Sequence, residues 1–226
     1  MDATKEYLMR KKSFFFTVLL CVIFAGTAWA LYKAPVREIG PKESYPAFLT
    51  SEGVTIAVEP LYTDELAARA FDKKDMITRG ILPIEVVIFN DNDFAVKIDG
   101  LSVELIHRDR SELRIRTMSP NEVVSRLSRK DKTWSRQPIP RRSQFELNRD
   151  MLKDFDDKFM MDKTVKARGK GSGFLYLHVP LKASEKMEEF LAGAQLYIPK
   201  VYRTDDGSRM IFFEVDIAPV FKTKDR

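Results

Sequence analysis

The chain has 226 residues, of which 44% are hydrophobic and 31% charged. That balance excludes disorder as the dominant state and suits one well-buried domain or two small ones. The formal charge is +5, and without the first thirty residues 34 basic side chains face 31 acidic ones, too small an excess to argue for nucleic acid.

The single cysteine, Cys21, lies in an N-terminal apolar run. The body can therefore hold no disulfide framework, zinc ribbon, covalent c-type haem or cysteine nucleophile. Arg10, Lys11 and Lys12 precede an apolar stretch over residues 14–32, and residues 1–32 form the first segment of the chain. A cleaved signal peptide would use residues 14–25 as its apolar part and Ala28-Trp29-Ala30 as its small-x-small site. A retained hydrophobic helix would use the whole stretch as a membrane anchor, close to the length of about 20 residues that a span requires, with Trp29 and Tyr32 at the outer interface. Both readings place the rest outside the cytoplasm, as a periplasmic or cell-surface protein. The lack of N-x-Ser/Thr sequons and of body cysteines fits a bacterial envelope. Residues 33–50, rich in proline and charge, read as a linker.

The body is expected over 51–220, before a charged tail at 221–226. Val54, Ile56 and Val58 alternate with Thr55, Ala57 and Glu59, which predicts a strand over 53–60. Thr63 caps a short helix over 63–71 with Leu66, Ala67 and Ala70 on one side. "ILPIEVVIF" is a β-branched strand within 81–90, with Pro83 near its start or on an edge. Asn90, Asp91, Asn92 and Asp93 follow. An EF-hand loop starting at Asp91 would need glycine at its sixth position, where Val96 stands, so the cluster reads as a turn.

Leu101, Val103 and Leu105 predict a strand over 100–107. Ser119, Pro120 and Glu122 make a capping box that opens a helix over 119–127. Met151, Leu152, Phe155 and Phe159 recur at helical spacing within 148–162, so a helical insertion is expected at about 118–162. Further on come a strand over 173–180, a helix over 184–193 ending at Gly193, and a hairpin pairing 195–203 with 209–217 around Asp206-Gly207. The expected fold class is mostly β, antiparallel, with helical insertions.

The segment "LPIEVVIFNDNDFAVKIDGLSVEL" resembles the start of immunoglobulin-like β-sandwich modules of exported bacterial proteins, of the LEA14-like type. Val86, Ile88, Asn90, Asp93, Ile98, Leu101, Val103 and Leu105 carry the likeness over roughly 25 residues. It implies an immunoglobulin-like β-sandwich and no functional residues.

Motifs for chemistry are sparse. His107 and His178 are the two histidines, and a metal site would need them brought together with Glu104 or Asp109. "GKGSGF" lacks the spacing of a nucleophile elbow and of a P-loop, and reads as a flexible lead into a strand. No catalytic residue and no cofactor are assigned. The most unusual surface stretch is 126–142, with Arg126, Arg129, Lys130, Lys132, Arg136, Arg141 and Arg142 around Trp134 and one acid, Asp131. It would suit an envelope protein or anionic lipid at a membrane surface. Pairing with the acids of the following helix, Asp150, Asp154, Asp156 and Asp157, is the competing structural reading. The expected function is a non-catalytic binding or assembly module of the envelope, with nucleic acid excluded as a partner by export. The alternative is an envelope hydrolase or metal-binding protein with a site assembled across the sandwich.

Overall fold

The computed structural model describes residues 38–128, 144–161, 163–181 and 185–222. The chain divides into two units, Met1–Lys33 and Ala34–Arg226. The N-terminal apolar run, the Ala28-Trp29-Ala30 site and most of the charged tail lie outside the described residues. Among the described residues no helix is long and apolar enough to cross a membrane.

The second unit is mostly β. In chain order it contains β1 (Ala47–Ser51), β2 (Val54–Pro60), α1 (Asp64–Ala70), β3 (Ile81–Asn90), β4 (Val96–Ile98), β5 (Glu104–His107), β6 (Arg110–Met118), α2 (Pro120–Ser128), α3 (Gln144–Lys158), β7 (Lys163–Val165), β8 (Lys170–His178), α4 (Met187–Ala192), β9 (Ala194–Ile198), β10 (Val201–Arg203), β11 (Phe213–Asp216) and α5 (Pro219–Lys222). Eight strands form one sheet in the order β1-β2-β3-β8-β6-β5-β9-β11, and β10-β4-β7 form another. Every pairing between these strands is antiparallel.

The large sheet consists of two four-stranded halves. They are joined through two residue pairs only, Thr117 with Leu177 and Met118 with Tyr176. Val54, Ile56, Val58, Ile84, Val86, Ile88, Leu175 and Leu177 of the first half share one core with Leu105, Ile115, Leu196, Ile198, Phe213 and Val215 of the second. Burying such side chains stabilises by about 1.5–3 kcal/mol each.

The other face of the first half is buried too. Residues before β1 cover one part, where Tyr45 packs with Ala57 and Val87. Helices cover the rest through an aromatic cluster. Phe71, just after α1, stacks on Phe155 of α3 at 4.7 Å between ring centroids, and Phe155 meets Tyr176 of β8 at 5.2 Å. The Tyr176 hydroxyl donates to the Phe155 carbonyl at 2.9 Å, so its polar end is satisfied. Lys158 Nζ closes the cluster. It donates to the Ala70 carbonyl at 2.7 Å and pairs with Asp154 while lying 5.0 Å from the Phe71 ring centroid. Two-faced burial explains why β3 reads as a continuous apolar run instead of an alternating one.

The strands around 53–60, 81–90 and 173–180 and the helices at 63–71 and 119–127 form close to where the sequence places them. The capping box is present: the Ser119 hydroxyl and amide both reach Glu122 Oε2, at 2.8 and 2.7 Å, and hold that carboxyl below the usual range. Several expectations need correction. Residues 47–50 of the expected linker belong to edge strand β1, whose pairing with β2 is set by tertiary contact and not by its own pattern. Between them Glu52 (φ 47°) and Gly53 (φ 72°) both take left-handed conformations, as a two-residue hairpin turn requires.

The segment over 100–107 splits into a 3-10 turn at Gly100–Ser102 and β5. Strand 195–203 breaks at Pro199 and Lys200, so β9 pairs with β11 while β10 joins the small sheet. The expected turn at Asp206-Gly207 survives as a bridge between Tyr202 and Arg209. Gly171 and Gly173 of "GKGSGF" lie inside β8, opposite Ile88 and Val86. A Cβ on Gly173 would stand 3.1 Å from Met160 Cα and 3.2 Å from the Lys158 carbonyl, so glycine lets the end of α3 rest on the strand.

Gly173→Ala is expected to destabilise the domain by about 1–3 kcal/mol through this backbone crowding. Gly207→Ala, with φ +70° but nothing within 4 Å, should cost about 1–2 kcal/mol from conformation alone. Urea denaturation of the two variants measures both.

Candidate functional site

The Asn-Asp cluster after β3 binds the protein's own loops together. Asn90 is buried, and its Nδ2 donates to the carbonyls of Phe94 (2.7 Å) and Lys166 (3.1 Å) while its Oδ1 accepts from the Asn92 amide (3.1 Å). Asn92 Nδ2 donates to the Glu52 carbonyl at 2.9 Å, and Arg168 grips Asp93 Oδ1 from Nε and Nη2 at 2.9 and 2.8 Å. Asp91 faces Lys42 at 3.8 Å. The side chains thus tie the turns β1–β2, β3–β4 and β7–β8 into one end of the fold. Arg168, held there by Asp93, is left-handed at φ 53°.

The two histidines do not meet. His107 ends β5 opposite Arg110, while His178 follows Leu177, the partner of Thr117. Along β6 those positions are about 20 Å apart at strand spacing. Among the described residues no group of three or more His, Asp, Glu or Cys side chains could hold a metal. His107 is buried beside Phe190, 5.0 Å between centroids, and over Gly193, and its Nδ1 has no hydrogen-bond partner. His178 is half-buried, and burial first, then the positive charge of Arg126, pushes its imidazole below the ordinary histidine value.

Arg126 lies on the last turn of α2, half-buried. The other candidates, Arg129, Lys130, Lys132, Trp134, Arg136, Arg141 and Arg142, lie outside the described residues. What is described is the frame on either side. α2 buries Pro120, Val123, Val124 and Leu127, α3 buries Met151 and Phe155, and the two helices pack together. Segment 129–142 joins them. It carries six basic residues and one acid, a net +5, which equals the formal charge of the whole chain, so the other 212 residues sum to zero.

Three of the four acids expected to neutralise this segment face cations on their own helix. Asp154 pairs with Lys158, Asp157 with Lys153, and Asp150 stands 3.8 Å from Arg149. The outer face of the second half-sheet is likewise self-paired: Glu104 binds Arg114 at 3.0 Å and Arg116 at 3.5 Å, and Asp216 binds Arg108 at 2.9 Å. Reading the sequence alone found the excess charge but not this internal pairing, which depends on i, i+4 spacing and on strand register.

A cleft of about 640 Å³ opens between residues 38–46, the end of β2 and α1. Glu38, Glu59 and Glu65 outnumber Arg69 on its walls, with Tyr45 and Tyr62 beneath, so its charge favours cations over anions. The Glu65 carboxyl is held below its usual range by its own backbone amide and the Thr63 hydroxyl at the helix start. No motif in the sequence marked this cleft, because its residues come from three separate elements.

No protein-family model matches the chain, and no curated protein is significantly similar to it. Among solved structures it is similar to the yjhA protein from Bacillus subtilis, at 13% identity, covering 67% of this chain and 76% of that one with a TM-score of 0.32. A likeness at that score carries no argument about function.

Arg126→Gln removes the second of the two influences on His178. Its titration midpoint, followed by NMR, is expected to rise yet stay below the ordinary histidine value, because burial persists. A depressed folded-state midpoint means the unfolded chain takes up the proton first. This contribution to stability is therefore present above the unfolded value, about 6.5, and is lost as pH falls toward the folded one.

Proposed function

We propose that the chain is a binding or assembly module of a bacterial envelope, held outside the cytoplasm and directed to an anionic partner by residues 126–142. On this reading its core is an immunoglobulin-like β-sandwich. Antiparallel pairing and one core shared by two half-sheets support that reading. The export part rests on Arg10, Lys11 and Lys12 before the apolar run.

The observation that carries the proposal is the charge distribution. Segment 129–142 holds the chain's whole positive excess, and Asp154 and Asp157 of α3 each face a lysine of their own helix. A basic run with a tryptophan and flanked by two packed helices suits anionic lipid headgroups or an acidic protein face, which share one chemistry. Screening follows: contacts made by exposed charges weaken once salt shortens the Debye length to about 8 Å or less.

Replacing Arg129, Lys130 and Arg136 by glutamate is expected to reduce co-sedimentation of the purified protein with phosphatidylglycerol vesicles at least tenfold. Phosphatidylcholine vesicles should recover neither protein, and the thermal midpoint should stay within about 2 °C, the change expected of a substitution that touches no core contact. Recovery only from native envelope extract, lost in the triple variant, would assign the surface to an acidic protein. Undiminished recovery of the variant from both sources would overturn the proposal.

A further inference from the structure

β11 lies alongside β1, so the margin where the two ends of the large sheet meet offers side chains and not a free backbone edge. Those side chains are apolar. Of the six large hydrophobic residues exposed among the described residues, four lie here: Phe48 (51% exposed) and Leu49 (37%) on β1, and Ile211 (43%) and Phe212 (48%) just before β11. Phe212 also meets Tyr197 of β9 at 5.9 Å between ring centroids, which extends the apolar surface toward the second half-sheet. The Ile211 amide donates to Glu52 Oε2 at 3.4 Å and holds this segment against the turn after β1. On a protein surface, an apolar patch of this kind marks a place where another molecule packs.

Four charged residues occur in 47–52 and 209–216, and they differ in what they have left to bind. Glu52 already accepts from the Ile211 amide, and Asp216 pairs with Arg108 at 2.9 Å. Arg209 and Glu214 are exposed, and neither has an oppositely charged partner among the described residues. The Pro199 carbonyl fixes the Arg209 guanidinium, accepting from Nε and Nη2 at 3.1 and 2.7 Å. The charge of Arg209 is therefore held in place but not neutralised. Arg209 and Glu214 stand on either side of Ile211 and Phe212 in the chain, at most about 17 Å apart at strand spacing. The patch thus has an apolar centre, with a cation before it and an anion after it.

We propose that this face, centred on Ile211 and Phe212, joins two copies of the chain in a symmetric dimer. An isologous contact applies one surface to itself in reversed order, which sets Arg209 of each copy against Glu214 of the other. Phe48 and Phe212 are covered in the contact, and the two ion pairs flank them and fix its register. A partner of a single charge sign matches only half of those flanks, and an anionic lipid surface is repelled by Glu214. A standard interface takes about 800 Å² from each partner, more than four partly exposed side chains supply, so the dimer is weak and concentration-dependent. This inference goes beyond the envelope reading and does not rest on segment 126–142.

The test is sedimentation velocity of the full chain in dilute non-ionic detergent, over protein concentrations from about 1 to 300 μM. A monomer–dimer equilibrium is expected. Arg209→Glu and Glu214→Arg each set like charges against one another, and each should raise the dissociation constant roughly tenfold or more. Phe212→Ser should weaken pairing by a similar factor. The exchanged chain, Arg209→Glu with Glu214→Arg, restores opposite charges across the axis and should return the constant to within about threefold of the parent. That recovery distinguishes a lost contact from a lost fold, which a second substitution would not repair. A monomer at every concentration, association that the single variants leave unchanged (as pairing through the N-terminal apolar run would be), or no recovery in the exchanged chain would each overturn the proposal.

Discussion

Strand β3 must be covered on both faces. From Ile81 to Ile88 every residue is buried, including Glu85 at 2% exposure. A strand of that kind cannot sit in a sheet with one wet side. One face is satisfied by the second half-sheet, through Ile84, Val86 and Ile88. The other requires material from elsewhere in the chain. Tyr45 and Ile39 arrive from before β1, and Phe71, Phe155 and Phe159 arrive from the helical segments.

That requirement makes the fold asymmetric. Helices gather over the first half-sheet, while the outer face of the second stays open to water. Its exposed row alternates arginine and carboxylate across neighbouring strands, Arg116 and Arg114 about Glu104 and Arg108 about Asp216. Such exposed pairs add little stability each, typically up to about 1 kcal/mol. Their effect is to leave that face close to neutral. The charge that remains unbalanced in the chain is carried by the segment of sequence that links α2 to α3.

The same arrangement leaves an edge. Closing the sheet at β6 and β8 uses two residue pairs, and the opposite margin, β1 beside β11, has no equivalent closure. At the loop end, by contrast, Asn90, Asn92 and Asp93 bind three turns by side-chain hydrogen bonds and an ion pair. The molecule is therefore tightly tied at that end and apolar along one margin.

Much of this was legible in local pattern. Alternation marked β2, a β-branched run marked β3, and Ser119, Pro120 and Glu122 marked the start of α2, because each depends on residues a few positions apart. β1, β4 and β7 are short and have no periodicity of their own, so they exist only through their partners. The glycines of β8 looked flexible until Met160 was found resting on Gly173. The sequence by itself determined the β-rich class, the turn at Asn90–Asp93, the lack of body cysteines and the run of basic residues at 126–142. Tertiary structure alone decided that His107 and His178 stand apart, that Asp154 and Asp157 of α3 pair with lysines of their own helix, and that Phe48 is exposed. Those facts depend on strand order and on which faces meet, and burial energy selects both over the whole chain at once.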